Sequence, residues 1–309
     1  MSGVSCLTGA VFRRKRMKNR RTDLALEAKE LWQQSAGETT KLPGVRAREQ
    51  LSKGITTTVV EILDQRGVRA LNKPVGFYVT LELQRGLLRE PAGFARAAAR
   101  LGKELGKLLP DQGAVLVAGL GNSAVTPDAI GPRCLEHLVV TRHLGGVFPQ
   151  LRPVSAIAPG VLGTTGLESV EVVRGIVERS RPSCVVVVDA LASRDPDRIC
   201  TTVQLTDTGI VPGSGVGNHR AAFDRDTLGV PVLAVGVPTV VEANTLLWDV
   251  LEENGCKNGK NPMKYDHSMV VTPKDIDARV GVISRLLGYG ISLGLHRGLR
   301  MDDVSCLVG

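Results

Sequence analysis

Aromatic residues are scarce in this sequence, because Phe, Trp and Tyr together make up 3% of its 309 residues. A core packed to normal density must therefore use Val, Leu, Ile and Ala, which suits a parallel sheet buried on both faces. The same scarcity leaves few rings on which the bases of a nucleic acid could stack. Hydrophobic residues still make up 43% of the chain, so the composition is that of a globular protein.

Long hydrophobic runs are also missing. No stretch approaches the roughly 20 apolar residues that a transmembrane helix needs. A basic segment near the N-terminus is followed by the polar residues 22–29, where a secretory signal would have its apolar region. We therefore expect a cytoplasmic protein that does not bind a membrane.

Acidic residues are absent from residues 1–21, which contain seven basic side chains and account for most of the net charge of +8. Without these seven, 32 basic residues stand against 31 acidic ones, and the rest of the chain is nearly neutral. Any affinity for phosphate would belong to the tail, and we expect no direct binding of nucleic acid by the folded body. Because residues 1–21 also lack hydrophobic periodicity, we interpret them as a mobile tail and 22–309 as a single domain.

The signatures of several enzyme classes are missing as well. The sequence contains no HExxH zinc motif, no GxSxG nucleophile elbow and no Walker loop. Its six cysteines lie far apart without a CxxC pair, and its five histidines show no tight metal-ligand spacing. We expect reduced thiols, no metal and no cofactor. Cys134 and Ser214 are candidate nucleophiles, but neither has a basic partner nearby in the sequence.

Segments that are apolar at every position alternate with amphipathic segments through most of the chain. This pattern predicts an α/β protein with a mostly parallel or mixed sheet, flanked by helices on both faces. Thr165 and Glu168 form a capping-box pattern that predicts where one helix begins. The predicted strands are 57–63, 77–83, 114–119, 154–158, 185–189 and 232–237. The predicted helices follow Thr22, cover 91–109, part of 126–144 and 275–294, and precede Arg181, whereas 254–267 is expected to be a surface loop.

In an open α/β sheet, the loops at the carboxyl ends of the strands build the active site. The first such loop, 119–132, begins with Gly119, Gly121 and Asn122 and places Asp128 near a predicted helix start. Asp128 is therefore a candidate catalytic carboxylate, although an aspartate in a first turn also stabilises a helix through its dipole. The glycine spacing does not match the GxGxxG pattern of dinucleotide sites.

Asp189 ends the second segment, directly after four valines. A carboxylate that closes an apolar strand is costly to bury unless it is hydrogen-bonded or faces a cleft. Asp189 is thus either a structural carboxylate or part of a site. With Asp128 it would form a pair for acid–base chemistry, in which one carboxyl group holds a proton while the other activates water.

The third segment, 206–218, contains four glycines in thirteen residues. Its backbone N–H groups are available to a ligand or a developing oxyanion, unless the segment is only a surface hairpin. We expect its second half to bind substrate. The candidate residues are Gly213, Ser214, Gly215, Gly217 and Asn218.

Seven stretches of this sequence resemble the germination proteases of spore-forming bacteria. They are long and specific, and together they extend over nearly everything after the basic tail. The stretches are RTDLALEAKELW (21–32), VTPDAIGP (125–132), RPVSAIAPGVLGTTGLES (152–169), VVDALASR (187–194), TDTGIVPGSGVGN (206–218), GVPTVVEA (236–243) and MVVTPKDID (269–277).

The resemblance implies a fold related to that of the hydrogenase maturation proteases, and an endopeptidase of an atypical aspartic type that needs no metal or cofactor. Its two essential aspartates would be Asp128 and Asp189. It also implies a homotetramer, a zymogen activated by loss of an N-terminal propeptide, and a location in the forespore or spore core. The implied substrates are the small acid-soluble proteins that coat spore DNA, which the enzyme would begin to degrade during germination.

Two alternatives stay open. Hydrogenase maturation proteases use comparable carboxylates with a histidine to recognise nickel, and a metal-dependent peptidase of that kind would need a counterpart of that histidine. The sequence offers no convincing one, and His219, which follows the Gly-rich segment, is interpreted as incidental. A nucleic-acid-associated protein without catalytic activity would act through residues 1–21. Those residues differ from the usual propeptide of the family, and translation from Met17 would leave almost none of it.

Overall fold

A computed structural model describes residues 22–36, 42–213, 221–254 and 269–308 of the chain. The tail predicted to be mobile, 1–21, and most of the predicted surface loop, 254–267, lie outside the described residues. Among the helices of the described part, none is both long enough and apolar enough to cross a membrane.

A mixed sheet runs through the described part of the chain. Its strands are β1 (Val45–Ser52), β2 (Ile55–Ile62), β3 (Gly76–Leu83), β4 (Val115–Gly119), β5 (Val154–Ile157), β6 (Cys184–Ser193), β7 (Thr202–Thr206), β8 (Val232–Glu242) and β9 (Val270–Val271). They lie in the order β1–β2–β3–β7–β8–β6–β4–β5, and β9 pairs with the end of β8. Strands β8, β6, β4 and β5 are mutually parallel, and the remaining pairs are antiparallel. The predicted α/β class with a mixed sheet is confirmed.

The parallel half of the sheet contains the most apolar strands. Every residue of β4 and β8 is buried, and so are nine of the ten residues of β6. In β6, Val186 and Val188 pack into the core on one face of the sheet, whereas Val185 and Val187 pack into the core on the other. A run of consecutive valines thus fits a strand that has no solvent-exposed side.

Helices cover both faces of the sheet. One face packs against α3 (Pro91–Leu108), α4 (Ile130–Leu135) and α9 (Ile276–Leu295). On the other face, α6 (Ser169–Ser180) and α7 (Arg225–Leu228) cover the parallel strands, and α1 (Ala25–Ala36) and α2 (Gln65–Leu71) cover the antiparallel ones. The remaining helices are α5 (Leu162–Thr165), α8 (Ala243–Glu253) and α10 (Met301–Val308).

The predicted strands and helices are all found, but two details were wrong. Thr165 ends α5, and the capping box is formed by Glu168 and Glu171 at the start of α6. β6 continues beyond Asp189 to Ser193, because its last residues pair with β8. Asp189 therefore lies inside a strand rather than at its end.

The sequence patterns did not predict β1, β7 or α8. β1 is exposed at seven of its eight positions and is paired with β2 through its backbone, so its side chains show no apolar alternation. β7 is buried at all five positions although three of them are Thr or Gln. The side chain of Gln204 is hydrogen-bonded to the N–H of Ala25 and the carbonyl oxygen of Asp23, partners that are distant in the sequence.

A largely buried ion-pair cluster attaches α1 to the sheet. The guanidinium of Arg198, 13% exposed, contacts Glu27 and Glu30 of α1 and Glu82 of β3 at 2.8–3.1 Å. Glu27, 1% exposed, also accepts two backbone N–H bonds from the loop after β6, at 2.7 and 3.0 Å. Burial alone would lower the pKa of Arg198, but the hydrogen bond to Glu30 and the surrounding carboxylate charges raise it above its ordinary value.

Replacement of Arg198 by methionine should lower the free energy of unfolding by about 3 kcal/mol, because it leaves the buried carboxylate of Glu27 without its cation. Urea denaturation followed by circular dichroism measures this change. The control is Arg85→Ala, which removes the exposed pair between Arg85 and Asp197 and should cost about 0.5 kcal/mol at most. Equal stability of the two variants would show that the Arg198 cluster does not hold α1.

Candidate active site

A cavity of about 310 Å³ lies at the carboxyl ends of β4, β6 and β8. All three segments selected from the sequence contribute to its lining, through Asp128, Asp189 and Gly213. The structure thus brings these three residues to one place, as expected for loops that follow neighbouring parallel strands. The other four residues of the predicted substrate-binding set, Ser214, Gly215, Gly217 and Asn218, lie outside the described residues.

Asp128 ends a short 3₁₀ turn, Thr126–Asp128, between β4 and α4. Its carboxylate is partly exposed and accepts a hydrogen bond from the backbone N–H of Asn122 at 2.7 Å. The helix that follows has Ala129 as its N-cap. The carboxylate is therefore turned back towards the loop after β4 and lines the cavity.

The turn that carries Asp128 packs backbone-to-backbone against the strand ends. Gly121 adopts φ +110°, and a Cβ there would lie 1.9 Å from the carbonyl oxygen of Asp128. A Cβ on Gly131 would lie 2.2 Å from the oxygen of Leu120 and 2.6 Å from the oxygen of Val188. Only glycine permits these approaches, and they bring the Asp128 turn close to the strand that carries Asp189.

Asp189 is 5% exposed and lies on the same face of β6 as Val185 and Val187. Its Oδ1 accepts a hydrogen bond from the backbone N–H of Ala190 at 2.9 Å. A buried carboxylate is unfavourable unless it is hydrogen-bonded or faces a cleft, and Asp189 lines the cavity.

The Gly-rich segment after β7 begins with a backbone pairing like that at the base of a hairpin. Ile210 and Phe223 exchange two backbone hydrogen bonds, of 3.0 and 2.7 Å, in an isolated antiparallel bridge. Ile210, Gly213 and Phe223 all line the cavity. The segment therefore combines both interpretations made from the sequence, because its base is a hairpin stem and its described part forms a wall of the cavity.

Two further carboxylates at the cavity, Asp23 and Glu168, were not singled out from the sequence. Asp23 donates its N–H to Ala192 O at 3.0 Å and accepts the Ala192 N–H on Oδ2 at 2.9 Å, so it pairs with β6 beyond Asp189. Lys73 Nζ donates to the carbonyl oxygen of Asp23 at 2.8 Å. Both acids lie in stretches that carry the family resemblance, which was the available signal. No Lys, Arg or His is among the described residues that line the cavity.

The other candidate groups lie away from the cavity or outside the described residues. Cys134 is fully buried, and burial raises the pKa of its thiol far above the ordinary range, which makes it unsuitable as a nucleophile. His137 packs near the ring of Tyr289, and His296 is buried with Nε2 3.2 Å from the oxygen of Val139. Within the described residues no group of three His, Cys, Asp or Glu could hold a metal ion. Ser214 and His219 lie outside those residues.

Gly131→Ala should lower the free energy of unfolding by about 2 kcal/mol, because the new methyl group meets backbone atoms that cannot move aside. The control is Gly175→Ala in α6, where nothing lies within 4 Å of the added methyl group. That change should be neutral or stabilise by about 0.5 kcal/mol. Thermal unfolding measures both variants, and a Gly131→Ala protein as stable as the Gly175→Ala protein would contradict the close approach.

Comparison with known proteins connects this site to a family. The family model described as germination protease matches residues 25–255. The germination protease of Caldanaerobacter subterraneus subsp. tengcongensis is 43% identical, over 93% of this chain and 98% of the relative. That of Clostridium perfringens strain 13 is 39% identical over 94% and 99%, and that of Bacillus cereus is 34% identical over 92% and 95%.

Among solved structures, a [NiFe] hydrogenase maturation protease, HycI from Thermococcus kodakarensis, matches with 15% sequence identity and a TM-score of 0.33. The match covers 61% of this chain and 98% of that protein. The family model alone spans most of the described fold, including the segments that carry Asp128 and Asp189. This chain belongs to the germination protease family.

Proposed function

We propose that this chain is an endopeptidase that starts the degradation of small acid-soluble spore proteins during germination, with Asp128 and Asp189 as its catalytic pair. Membership of the germination protease family supports a spore protease function. The observation that carries the aspartate mechanism is that Asp128, from the turn after β4, and Asp189, from within β6, line a single cavity. Acid–base hydrolysis of an amide needs two such groups in one place.

The proposed reaction adds water to the scissile peptide carbonyl. The ionised carboxylate of the pair takes a proton from the water while the water oxygen bonds to the carbonyl carbon. The protonated partner then gives its proton to the amide nitrogen, and the carbon–nitrogen bond breaks to leave an acid and an amine. The roles of acid and base are not assigned within the pair.

Backbone N–H groups of residues 213–217 are proposed to hold the substrate or the developing oxyanion. The supporting observation is that Gly213 lines the same cavity as both aspartates. N–H groups held by a fixed backbone stabilise negative charge that develops in a transition state. The bridge between Ile210 and Phe223 anchors the start of this segment.

The biological setting follows from the family and is part of this proposal. Residues 1–21 would act as a propeptide whose loss activates a zymogen, the enzyme would assemble as a homotetramer, and it would work in the cytoplasm of the forespore or in the spore core. Cleavage would need no cofactor and no bound nucleic acid.

Asp128→Asn and Asp189→Asn should each lower the rate of cleavage of a small acid-soluble spore protein by about 10²–10⁴-fold, the usual contribution of general acid–base catalysis. Cleavage is followed by gel electrophoresis, with and without EDTA. The control is Asp111→Asn, which changes an exposed carboxylate paired with Arg297 and should have wild-type activity.

Full activity in either of the first two variants would remove that aspartate from the mechanism. Cleavage that EDTA abolishes and a divalent metal restores would favour the metal-dependent alternative and direct attention to His219. A wild-type protein that leaves the substrate intact, with its tail removed, would contradict the proposed substrate class.

Removal of residues 1–21 should leave the protein at least as active as the full chain in the same assay, because the proposed site lies entirely in the folded body. The nucleic-acid alternative predicts the opposite, a loss of function. It also predicts that DNA binding by the full chain weakens steeply with salt concentration. Binding titrations at several salt concentrations, on the full and shortened chains, separate the two.

A further inference from the structure

A hydrogen bond joins the Asp128 turn to the first turn of α9. Thr126 Oγ1, at the start of the turn, donates to Oδ1 of Asp277 at 2.6 Å. The two residues are 151 positions apart in the sequence. A hydroxyl that donates to a carboxylate at this distance makes a charge-assisted bond, which is stronger than a bond between neutral groups.

α9 is a firm anchor for this bond. Near its start Ile276 is 7% exposed, and Val280 and Ile283 are fully buried in the core beneath the sheet. The helix packs closely against α3 and α4. Asp277 itself is exposed, so its carboxylate reaches the turn from the surface of a helix whose other side is fixed.

The segment that leads into α9 also contributes to the cavity. Val270, seven residues before Asp277, lines the cavity, and Thr272 Oγ1 donates to the oxygen of Thr239 at 2.8 Å. Thr239 lines the cavity as well. The bond between Thr126 and Asp277 therefore ties the wall that contains Asp128 to the wall that contains Val270.

The internal bonds of the turn determine its shape but not its position. The N–H of Asp128 donates to Val125 O at 2.8 Å, and the N–H of Ala129 donates to Thr126 O at 3.1 Å. The close packing of Gly131 holds the end of the turn that leads into α4. The bond to Asp277 holds the other end, two residues before the proposed catalytic carboxylate.

We propose that Asp277 is a positioning residue. Through its hydrogen bond with Thr126, it holds the turn that carries Asp128 in the position that the reaction requires. The inference rests on the proposed function of Asp128. It concerns the rate of the reaction rather than the fold, because the bond lies at the surface and joins parts that are already folded. A displacement of a reacting group by about 1 Å can cost up to about 100-fold in rate.

The test compares kcat and KM for cleavage of a purified small acid-soluble spore protein. Asp277→Ala should lower kcat by roughly 10-fold or more and leave KM within about twofold, because the reacting carboxylate is displaced while the rest of the cavity is unchanged. Asp277→Asn keeps an oxygen that accepts from Thr126 and should recover most of the activity. Thr126→Val removes the donor with little change in size and should resemble Asp277→Ala.

Asp275→Ala is the matched control. Asp275 lies two residues away at the same helix terminus, is exposed, and pairs with Arg279 instead of the turn. Its removal takes away the same charge at the same place and should leave kcat unchanged. The melting temperatures of Asp275→Ala and Asp277→Ala should be equal.

The double variant Thr126→Val with Asp277→Ala should be no slower than the slower single variant, because both changes break one bond. Multiplied losses in the double variant, or a normal kcat in Asp277→Ala, would overturn the inference. An inactive Asp128→Asn protein beside a fully active Asp277→Ala protein would leave the proposed function intact. An active Asp128→Asn protein would refute the proposed mechanism itself.

Discussion

The close backbone packing of the Asp128 turn against the ends of β4 and β6 is the constraint on which the site depends. At Gly121 and Gly131 the neighbouring carbonyl oxygens occupy the space that a side chain would fill. The turn after β4 is therefore held close to β6, and the carboxylates of Asp128 and Asp189 line one cavity of about 310 Å³. The parallel pairing of β4 with β6 makes the two segments neighbours, and the glycine contacts allow the turn to pack directly against them.

The parallel strands supply the rigid support for this packing. The valines of β6 are buried on both faces, and they hold Asp189 at a fixed depth where a carboxylate is 5% exposed. Burial of a charged group is costly, and the Asp189 carboxylate accepts the backbone N–H of Ala190 and lines the cavity. The packing of the core thus holds a carboxylate in a position where its burial is unfavourable.

The N-terminal segment is part of the same arrangement. Asp23 pairs with β6 beyond Asp189, and the helix that follows is attached by Arg198 to Glu27, Glu30 and Glu82. Asp23, which comes soon after the basic tail, therefore forms part of the cavity lining. Asp23, Asp128, Glu168 and Asp189 give the described lining a strongly acidic character.

The sequence alone predicted the α/β class and the strands of the parallel half, because a buried strand consists of consecutive apolar residues. It also predicted both proposed catalytic aspartates, which follow such strands or lie in them. Strand β1 has no such apolar run, because its backbone pairs with β2 while its side chains face solvent. The contributions of Asp23 and Glu168 to the cavity, and the bond from Thr126 to Asp277, join residues distant in the chain. Only the folded chain decides such contacts, because they depend on where backbones meet and not on the properties of neighbouring residues.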